Sequence, residues 1–271
     1  MTNLDDSPRT VLEIQHLSYQ YAGGCVALDD VSFTVSHGEV VGLVGPSGAG
    51  KSTLLMHLNG LLPDRRELRQ RRTEPPSVIV DGVPVREDTL SDVRRKVGFL
   101  FQDPDDQLFC PTVEEDVAFG PLHLDLPREE VRRRVRESLA AVGLDGYGSR
   151  STVRLSVGER KRVCLAGVFA CQPTLLALDE PFSNLDPRSR RALIAILRDF
   201  PGAQIIATHD LDLIVEVCSR VIILDQGRLQ ADGPACQILS DQELVEKHGL
   251  EVPLRLRLAS DHEAMHSTRS V

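Results

Sequence analysis

The sequence predicts an α/β fold built on a mainly parallel sheet, with a more antiparallel part at the N-terminal end. The first observation is a series of short apolar runs of β type. Several are apolar on both faces, which is typical of strands buried between layers of helices. The predicted strands are Val11–Ile14, Val31–Val35, Val40–Val44, Ser77–Val80, Val97–Phe101, Leu175–Leu178, Ile205–Thr208 and Val221–Leu224.

The second observation is that helical stretches separate the later runs. Strands that alternate with helices predict a parallel sheet covered by those helices. The predicted helices are Lys51–Leu61, Arg128–Val142, Ser156–Ala170 and Arg188–Asp199.

The composition is that of an ordinary globular protein. Of the 271 residues 41% are hydrophobic, enough for one large domain with or without a small appendage. A formal charge of −9 argues against a general nucleic-acid-binding protein, which needs a broad basic face. The six cysteines form no CxxC pair and no cluster with histidines, which argues against a zinc site or a disulfide framework and favours a reducing cytoplasm.

Neither a signal peptide nor a membrane span is predicted. The first ten residues lack a basic start and an apolar stretch, and no apolar run approaches the ~18 residues that span a bilayer. We therefore expect any membrane role to depend on a partner.

A glycine-rich motif follows the predicted strand Val40–Val44 and opens the next helix. It matches the pattern GxxxxGK(S/T) in the context that this P-loop pattern requires. Its glycines allow a tight turn whose N–H groups surround a phosphate at the positive end of a helix dipole. We expect Lys51 to contact the β- and γ-phosphate oxygens and Ser52 to give Mg²⁺ a hydroxyl ligand; a glycine-rich turn with an incidental lysine is the alternative. The motif is Gly45, Pro46, Ser47, Gly48, Ala49, Gly50, Lys51, Ser52 and Thr53.

An apolar run, Leu175–Leu178, ends in the two carboxylates Asp179 and Glu180. Alone, such a pair more often begins a loop. Together with the P-loop it predicts that Asp179 holds Mg²⁺ through water and that Glu180 orients or deprotonates the attacking water.

Further motifs resemble those of ATP-binding cassette (ABC) proteins. Leu155–Glu159 (LSVGE) is similar to the signature loop, and Gln102 follows the strand Val97–Phe101 as the Q-loop glutamine does. Ser183–Asp186 resembles the D-loop, and His209 resembles the switch histidine. Viewed singly, His209 could be a core histidine, Gln102 a surface amide and Ser156 a helix N-cap. Their joint order favours the functional interpretation.

The resemblance, which covers roughly residues 11 to 233, implies an ATPase with ATP and Mg²⁺ as cofactors. It implies a P-loop NTPase core with an antiparallel N-terminal β subdomain and an inserted helical subdomain, about 103–170, within a nucleotide-binding domain, 1–235. A small appendage and polar tail would occupy 236–271. The implied catalytic residues are Glu180, His209, Lys51 and Gln102. The implied metal ligands are Ser52, Gln102 and Asp179. Beyond the P-loop, the implied nucleotide contacts are Tyr21, Gln102, Ser156, Gly158 and Glu159.

Two positions depend on local detail. The family signature usually has Gly-Gly where this chain has Val157-Gly158, and valine is poorly suited to positive φ. If position 157 has helical or extended angles, the change is tolerated. Of the two tyrosines in Leu17–Tyr21, we predict that Tyr21 stacks on adenine and that Tyr19 is structural.

The stretch from Val97 to Pro121 resembles the ATPases of energy-coupling-factor importers, especially the cobalt-transport subfamily, and so does Asp232–Pro253. This resemblance implies a peripheral protein on the cytoplasmic face of the membrane, with two partners: a second ATPase subunit, as a homodimer, and a transmembrane coupling subunit. ATP would lie between the P-loop of one subunit and Ser156 and Gly158 of the other. The cargo would be cobalt, another metal ion such as nickel, or a vitamin such as biotin.

Four apolar residues after the Q-loop are candidates for a partner-binding surface, with the core of the helical subdomain as the alternative. They are Leu108, Phe109, Val117 and Phe119. The charged segment Pro63–Pro76 is predicted to be a solvated surface loop, with a nucleic-acid or lipid-headgroup contact as the alternative. We expect the tail from about Ser260 to be frayed.

Two other functions compete with a transport ATPase. A soluble ABC ATPase acting on DNA or ribosomes would favour tandem cassettes, coiled-coil insertions or a basic surface, and the sequence has none of these. A non-hydrolysing binding module is disfavoured by Glu180 and His209. We therefore expect no nucleic-acid partner.

Overall fold

The computed structural model describes residues 9–258 and contains two sheets. The smaller, antiparallel sheet has the order β2-β1-β4-β5. The larger has the order β10-β9-β3-β8-β7-β6, and all its strand pairs are parallel except that of β10 with β9. The predicted fold class, a mainly parallel α/β core with an antiparallel N-terminal sheet, is therefore confirmed. The strands are β1 (Thr10–Gln20), β2 (Val26–Ser36), β3 (Val40–Val44), β4 (Val78–Val80), β5 (Val83–Pro84), β6 (Val97–Leu100), β7 (Leu175–Asp179), β8 (Ala203–Ala207), β9 (Arg220–Asp225) and β10 (Arg228–Pro234).

The helices cover both faces of the larger sheet. Strand β7 shows why both faces are apolar: Leu175 and Ala177 belong to one hydrophobic core, and Leu176 and Leu178 to the other. The helices are α1 (Lys51–Leu58), α2 (Arg65–Gln70), α3 (Leu90–Lys96), α4 (Val113–His123), α5 (Arg128–Ala141), α6 (Val157–Ala170), α7 (Pro187–Arg198), α8 (Leu211–Val217), α9 (Ala235–Ser240) and α10 (Gln242–Lys247).

Helices α4, α5 and α6 lie between β6 and β7 in the sequence, and they pack on one another. Helices α9 and α10 follow β10 directly. Their residues Leu239 and Val245 are fully buried in the same core as β9, so this end of the described chain packs closely on the larger sheet. Residues 254–258 are helical, and the tail predicted from Ser260 lies outside the described residues.

The prediction that Pro63–Pro76 is simply a solvated loop is wrong. The segment contains α2, whose first turn is capped by the Asp64 carboxylate accepting from the N–H of Glu67. Leu68 is buried against the core formed by the smaller sheet and α1. The many charged residues of the segment gave no indication in the sequence that Leu68 is buried.

No helix within residues 9–258 combines the length and the apolar character needed to cross a membrane.

Candidate functional site

The parallel order of the larger sheet brings three motifs to one edge. Strand β8 lies between β3 and β7, and the carboxyl ends of parallel strands share an edge. The P-loop follows β3, Asp179 ends β7, and Thr208 and His209 follow β8. A cleft of about 730 Å³ at this edge is lined by P-loop residues, Glu180 and His209.

The P-loop turn requires glycine at two tight positions. Gly45 has a φ of 151° and Gly50 a φ of 105°. A Cβ at Gly45 would collide with the carbonyl oxygen of Leu224, and one at Gly50 with that of Ala27. These close approaches hold the loop against β9 and β2 while α1 begins at Lys51.

The side chain of Lys51 extends back toward the start of the P-loop. Its Nζ donates to the carbonyl oxygens of Gly45 at 2.7 Å and Pro46 at 2.9 Å. Burial lowers the pKa of Lys51, and the charges of Glu180 and Asp179 oppose that shift. The ammonium group is therefore at the cleft, within the field of the predicted metal ligand Asp179 and the predicted base Glu180.

Asp179 and Ser52 offer oxygen donors that fit Mg²⁺. Burial raises the pKa of Asp179, while a hydrogen bond with Ser52 and the charge of Lys51 lower it. A desolvated carboxylate beside a hydroxyl suits a hard cation. Within residues 9–258 no cluster of three or more His, Cys, Asp or Glu side chains could hold a metal by itself. Phosphate oxygens and water would have to complete the coordination, as is usual for Mg²⁺ at nucleotide sites.

Glu180 is held by the segment that follows β8. Its Oε2 accepts from the Thr208 hydroxyl at 2.9 Å, and its Oε1 accepts from the backbone N–H of His209 at 3.1 Å. Nδ1 of His209 lies 2.7 Å from the same Oε1. The Glu180 side chain is 13% exposed and that of His209 is 77% exposed, so an exposed ring contacts a nearly buried carboxylate.

Tyr21 and Tyr19 differ in exposure: Tyr19 is buried, whereas 40% of Tyr21 is exposed. The Tyr21 hydroxyl lies 3.0 Å from Oγ1 of Thr53, the last P-loop residue. Tyr19 packs edge-on against Tyr21 and against His57 of α1. The tyrosine pair is thus tied to the P-loop helix.

The predicted signature loop begins α6. Ser156 caps the helix: its hydroxyl accepts from the N–H of Glu159, and the Glu159 carboxylate accepts from the N–H of Ser156 at 2.8 Å. Hydrogen bonds from Ser156 and Tyr147 lower the pKa of Glu159, with the Ser156 backbone as the largest cause. Glu159 therefore has a local capping role in addition to the predicted nucleotide contact, and exposed Ser156 sits at a helix N-terminus.

The two residues after Ser156 have different environments. Val157 is the first residue of α6 and does not have a positive φ, so a β-branched side chain is tolerated there. Gly158 is buried, and a Cβ on it would collide with the side chain of Ser189 at the start of α7. Glycine is required at 158 for packing.

Gln102 and the signature loop lie away from the cleft. Gln102 is exposed after β6, the edge strand, which is separated from β3 by β7 and β8. Among the described residues, those that line the cleft do not include Gln102 or 156–159. The structure thus brings together Lys51, Glu180 and His209 at the cleft, whereas Gln102 and Ser156 are exposed elsewhere and Gly158 is buried.

Sequence reasoning missed the segment 249–257, which forms a wall of the cleft beside Pro46 and Ser47. The segment is anchored by the N–H of Arg255, which donates to Asp212 of α8 at 3.0 Å, and by the Arg255 guanidinium, which donates to Glu216. No motif in the segment indicated this position; only its packing on α8 does.

The apolar residues after the Q-loop divide into two groups. Val117 is fully buried, so its assignment to a partner-binding surface is wrong and it belongs to the core of α4. Phe109 is 64% exposed and Phe119 41% exposed, and their rings pack edge-on with centroids 4.7 Å apart. With half-buried Leu108 they line a groove between β6, α4 and α6.

Comparison with known proteins agrees with these motifs. Residues 28–183 match the family model described as ABC transporter. The chain is 50% identical over 248 residues to a putative ABC transporter ATP-binding protein of Gloeobacter violaceus, covering 90% of this chain and 98% of that protein. It is 44% identical over 260 residues to the energy-coupling factor transporter ATP-binding protein EcfA of Methanothermobacter thermautotrophicus, covering 92% of this chain and 81% of that protein.

Among solved structures, the chain is similar to cbiO1 of Clostridium perfringens, described as part of the ABC transporter complex cbiONQ. The TM-score is 0.76 at 32% identity, over 93% of this chain and 99% of that one. The P-loop and the carboxylate pair at the end of β7 lie within the matched residues 28–183, and the histidine after β8 lies beyond them. The chain therefore belongs to the ABC transporter family, as an ATPase related to the ATP-binding subunits of energy-coupling-factor transporters.

Proposed function

We propose that this ATPase powers an importer of the energy-coupling-factor type from the cytoplasmic face of the membrane. The observation that carries the proposal is one chain with both a hydrolytic edge, where Lys51 and the Glu180–His209 pair meet, and an exposed aromatic groove at Phe109 and Phe119. The relatives named EcfA and cbiO1 support the same assignment.

At the hydrolytic edge each side chain has a separate task. The P-loop N–H groups and Lys51 would bind the phosphates, and Ser52 and Asp179 would hold Mg²⁺, whose charge would offset that of the phosphates. Glu180 accepts the proton of the attacking water as its general base. His209 holds the Glu180 carboxylate by hydrogen bonds and would direct its exposed ring to the γ-phosphate. Gln102 lies outside the cleft, after the edge strand, and it would have to approach the nucleotide to respond to the metal and γ-phosphate.

The nucleotide site is completed by a second copy of the chain. Ser156 lies at an exposed helix N-terminus, which is suited to an anion, yet it lies outside the cleft of its own chain. In a homodimer Ser156 and Gly158 of one subunit would cover the ATP on the P-loop of the other, with adenine stacked on Tyr21. We further propose that 103–170 acts as the helical subdomain and that the segment from 236 supports the dimer.

The groove at Phe109 is proposed to receive a helix of the transmembrane coupling subunit. It is apolar at its centre, and large exposed aromatic side chains are frequent anchors of such interfaces. Its residues Leu108 and Phe109 follow Gln102 closely in the sequence, so a nucleotide-dependent movement of Gln102 would move the groove as well.

The membrane partners would determine which cargo is transported, because the ATPase itself would not contact it. Cobalt is the first candidate on the analogy with the cobalt-transport subfamily, and nickel or a vitamin such as biotin are the alternatives.

Purification of the tagged chain from its native membranes in mild detergent tests the proposal. We expect a membrane protein and a second ATPase subunit to copurify, and ATP-driven uptake of the cargo by vesicles that contain the complex. The same preparation from a strain carrying Glu180→Gln is the control, since it should assemble without driving uptake. Copurification of ribosomes or DNA in place of a membrane protein would favour the soluble alternative.

A further inference from the structure

A lysine on the signature helix is among the largest fully buried side chains of the protein. Lys161 in α6 is 1% exposed. Burial of an ammonium group costs free energy unless hydrogen bonds replace its hydration. Burial lowers the pKa of Lys161 to about 8. We therefore expect hydrogen-bond acceptors close to Nζ of Lys161. Those that the structure shows lie outside α6.

The partners of Lys161 all lie in the turn that follows β7. Its Nζ donates to the carbonyl oxygens of Glu180 and Pro181 and to the hydroxyl of Ser183, each at 3.0 Å. An ammonium group has three donors, and this turn offers three acceptors. Ser183 in turn donates to the same Glu180 carbonyl at 2.9 Å, so that oxygen receives two hydrogen bonds.

The backbone held in this way is unusual. Glu180 has a φ of 44°, in the left-handed region that residues with a Cβ rarely adopt. Its N–H donates to the carbonyl of Ala207 at 2.9 Å, and its carbonyl receives Lys161. The backbone N–H of Glu180 is therefore fixed by β8 and its carbonyl by α6, and together these contacts set the direction of the Glu180 side chain.

Helix α6 connects the turn that carries Glu180 with the signature loop. Lys161 follows Ser156 by five positions on one rigid helix, a rise of about 7 Å. Gly158, between them, packs directly against Ser189 of α7. A displacement of the start of α6 must therefore carry Lys161 with it.

We infer that Lys161 is a positioning residue that ties the signature helix to the turn carrying Glu180, so that contact of Ser156 with one nucleotide aligns the general base of the other site. The link between two sites rests on the proposed homodimer. The alignment of Glu180 by Lys161 within one chain rests only on the contacts described above.

The test compares Lys161→Met, which keeps the length and removes all three donors, with Lys161→Gln, which restores donors. In the purified full-length protein we expect Lys161→Met to lower kcat at least tenfold while KM for ATP changes less than twofold. Lys161→Gln should recover part of that loss. Arg162→Met is the matched control, because the adjacent Arg162 donates to the carbonyls of Val142 and Gly143 and does not contact the Glu180 turn. It should lower Tm and leave kcat within twofold.

A second arm separates alignment of Glu180 from general destabilisation. In a Glu180→Gln background the general base is already lost, so adding Lys161→Met should change the single-turnover rate less than twofold. A tenfold loss in both backgrounds, or a wild-type kcat for Lys161→Met, would overturn the inference. These rates are read from ATP hydrolysis alone. Failure of the importer proposal, seen in the identity of copurifying proteins, is therefore a distinct result.

Discussion

Nδ1 of His209 lies 2.7 Å from Oε1 of Glu180, and the same oxygen accepts the backbone N–H of His209. An ionised carboxylate can only accept, so Nδ1 of His209 is the donor in this contact. The ring is mostly exposed while the carboxylate is nearly buried. The pair thus joins a nearly buried carboxylate to an exposed ring, and both line the cleft.

Glu180→Gln should keep ATP binding and slow hydrolysis by at least a hundredfold. The amide has the same shape and can still contact Thr208 and His209, but it cannot accept the proton of water. We also expect ATP-bound dimers to accumulate, detected by light scattering. Hydrolysis at the wild-type rate would exclude Glu180 as the base.

Lys51→Ala should weaken ATP binding at least tenfold in calorimetry, because it removes the charge directed at the phosphates. The fold should persist, since Lys51 contacts only two loop carbonyls through Nζ. Lys247→Ala, which removes an exposed lysine of α10, is the control and should bind ATP normally. Equal affinity for both variants would contradict the P-loop assignment.

Val157→Gly and Gly158→Ala should differ sharply in ATPase assays. Val157 begins α6 without positive φ, so its replacement by glycine should leave kcat within about twofold. Gly158→Ala should lower both kcat and Tm, because the new methyl group collides with Ser189. A several-fold loss for Val157→Gly would show that valine itself is needed at the signature.

Phe109→Asp should abolish assembly with the membrane partner while leaving ATP binding by the isolated subunit intact. The side chain is 64% exposed, so a charge there is tolerated in the free protein but is costly in an apolar interface. Arg66→Glu, an exposed charge change on α2, is the control and should assemble normally. Normal uptake by a folded Phe109→Asp complex, or loss with Arg66→Glu instead, would move the docking site.

His57 should make the stability depend on pH below neutrality. Burial lowers the pKa of His57 from 6.5 to about 4, so between these values the unfolded chain binds more protons than the folded one. The stability present above pH 6.5 is lost as the pH falls through this window, by up to about 3 kcal/mol. Urea unfolding of His57→Leu should show a shallower fall between pH 6.5 and 4 than the wild-type protein. Parallel curves would show that His57 titrates alike in both states.

The sequence predicted the strands of the larger sheet that precede the P-loop and the carboxylates, because these runs are apolar on both faces and end in unmistakable motifs. It did not predict β5 or β10. The first has two residues, and β10 alternates exposed and half-buried positions, so neither has a continuous apolar run. The same limit applied to α2, where one buried leucine stands among charged residues.

The sequence by itself determined the chemical groups whose roles depend on residues close to them in the chain. The P-loop glycines, the serine that caps α6 and the carboxylates at the end of β7 can be read directly, because each depends on neighbours a few residues away. Only the tertiary structure decided which of these residues meet. Placing β8 between β3 and β7 joins His209 to Glu180, and the packing of α6 on the turn after β7 buries Lys161. Such contacts depend on strand order and helix packing, which the periodicity of a chain does not specify.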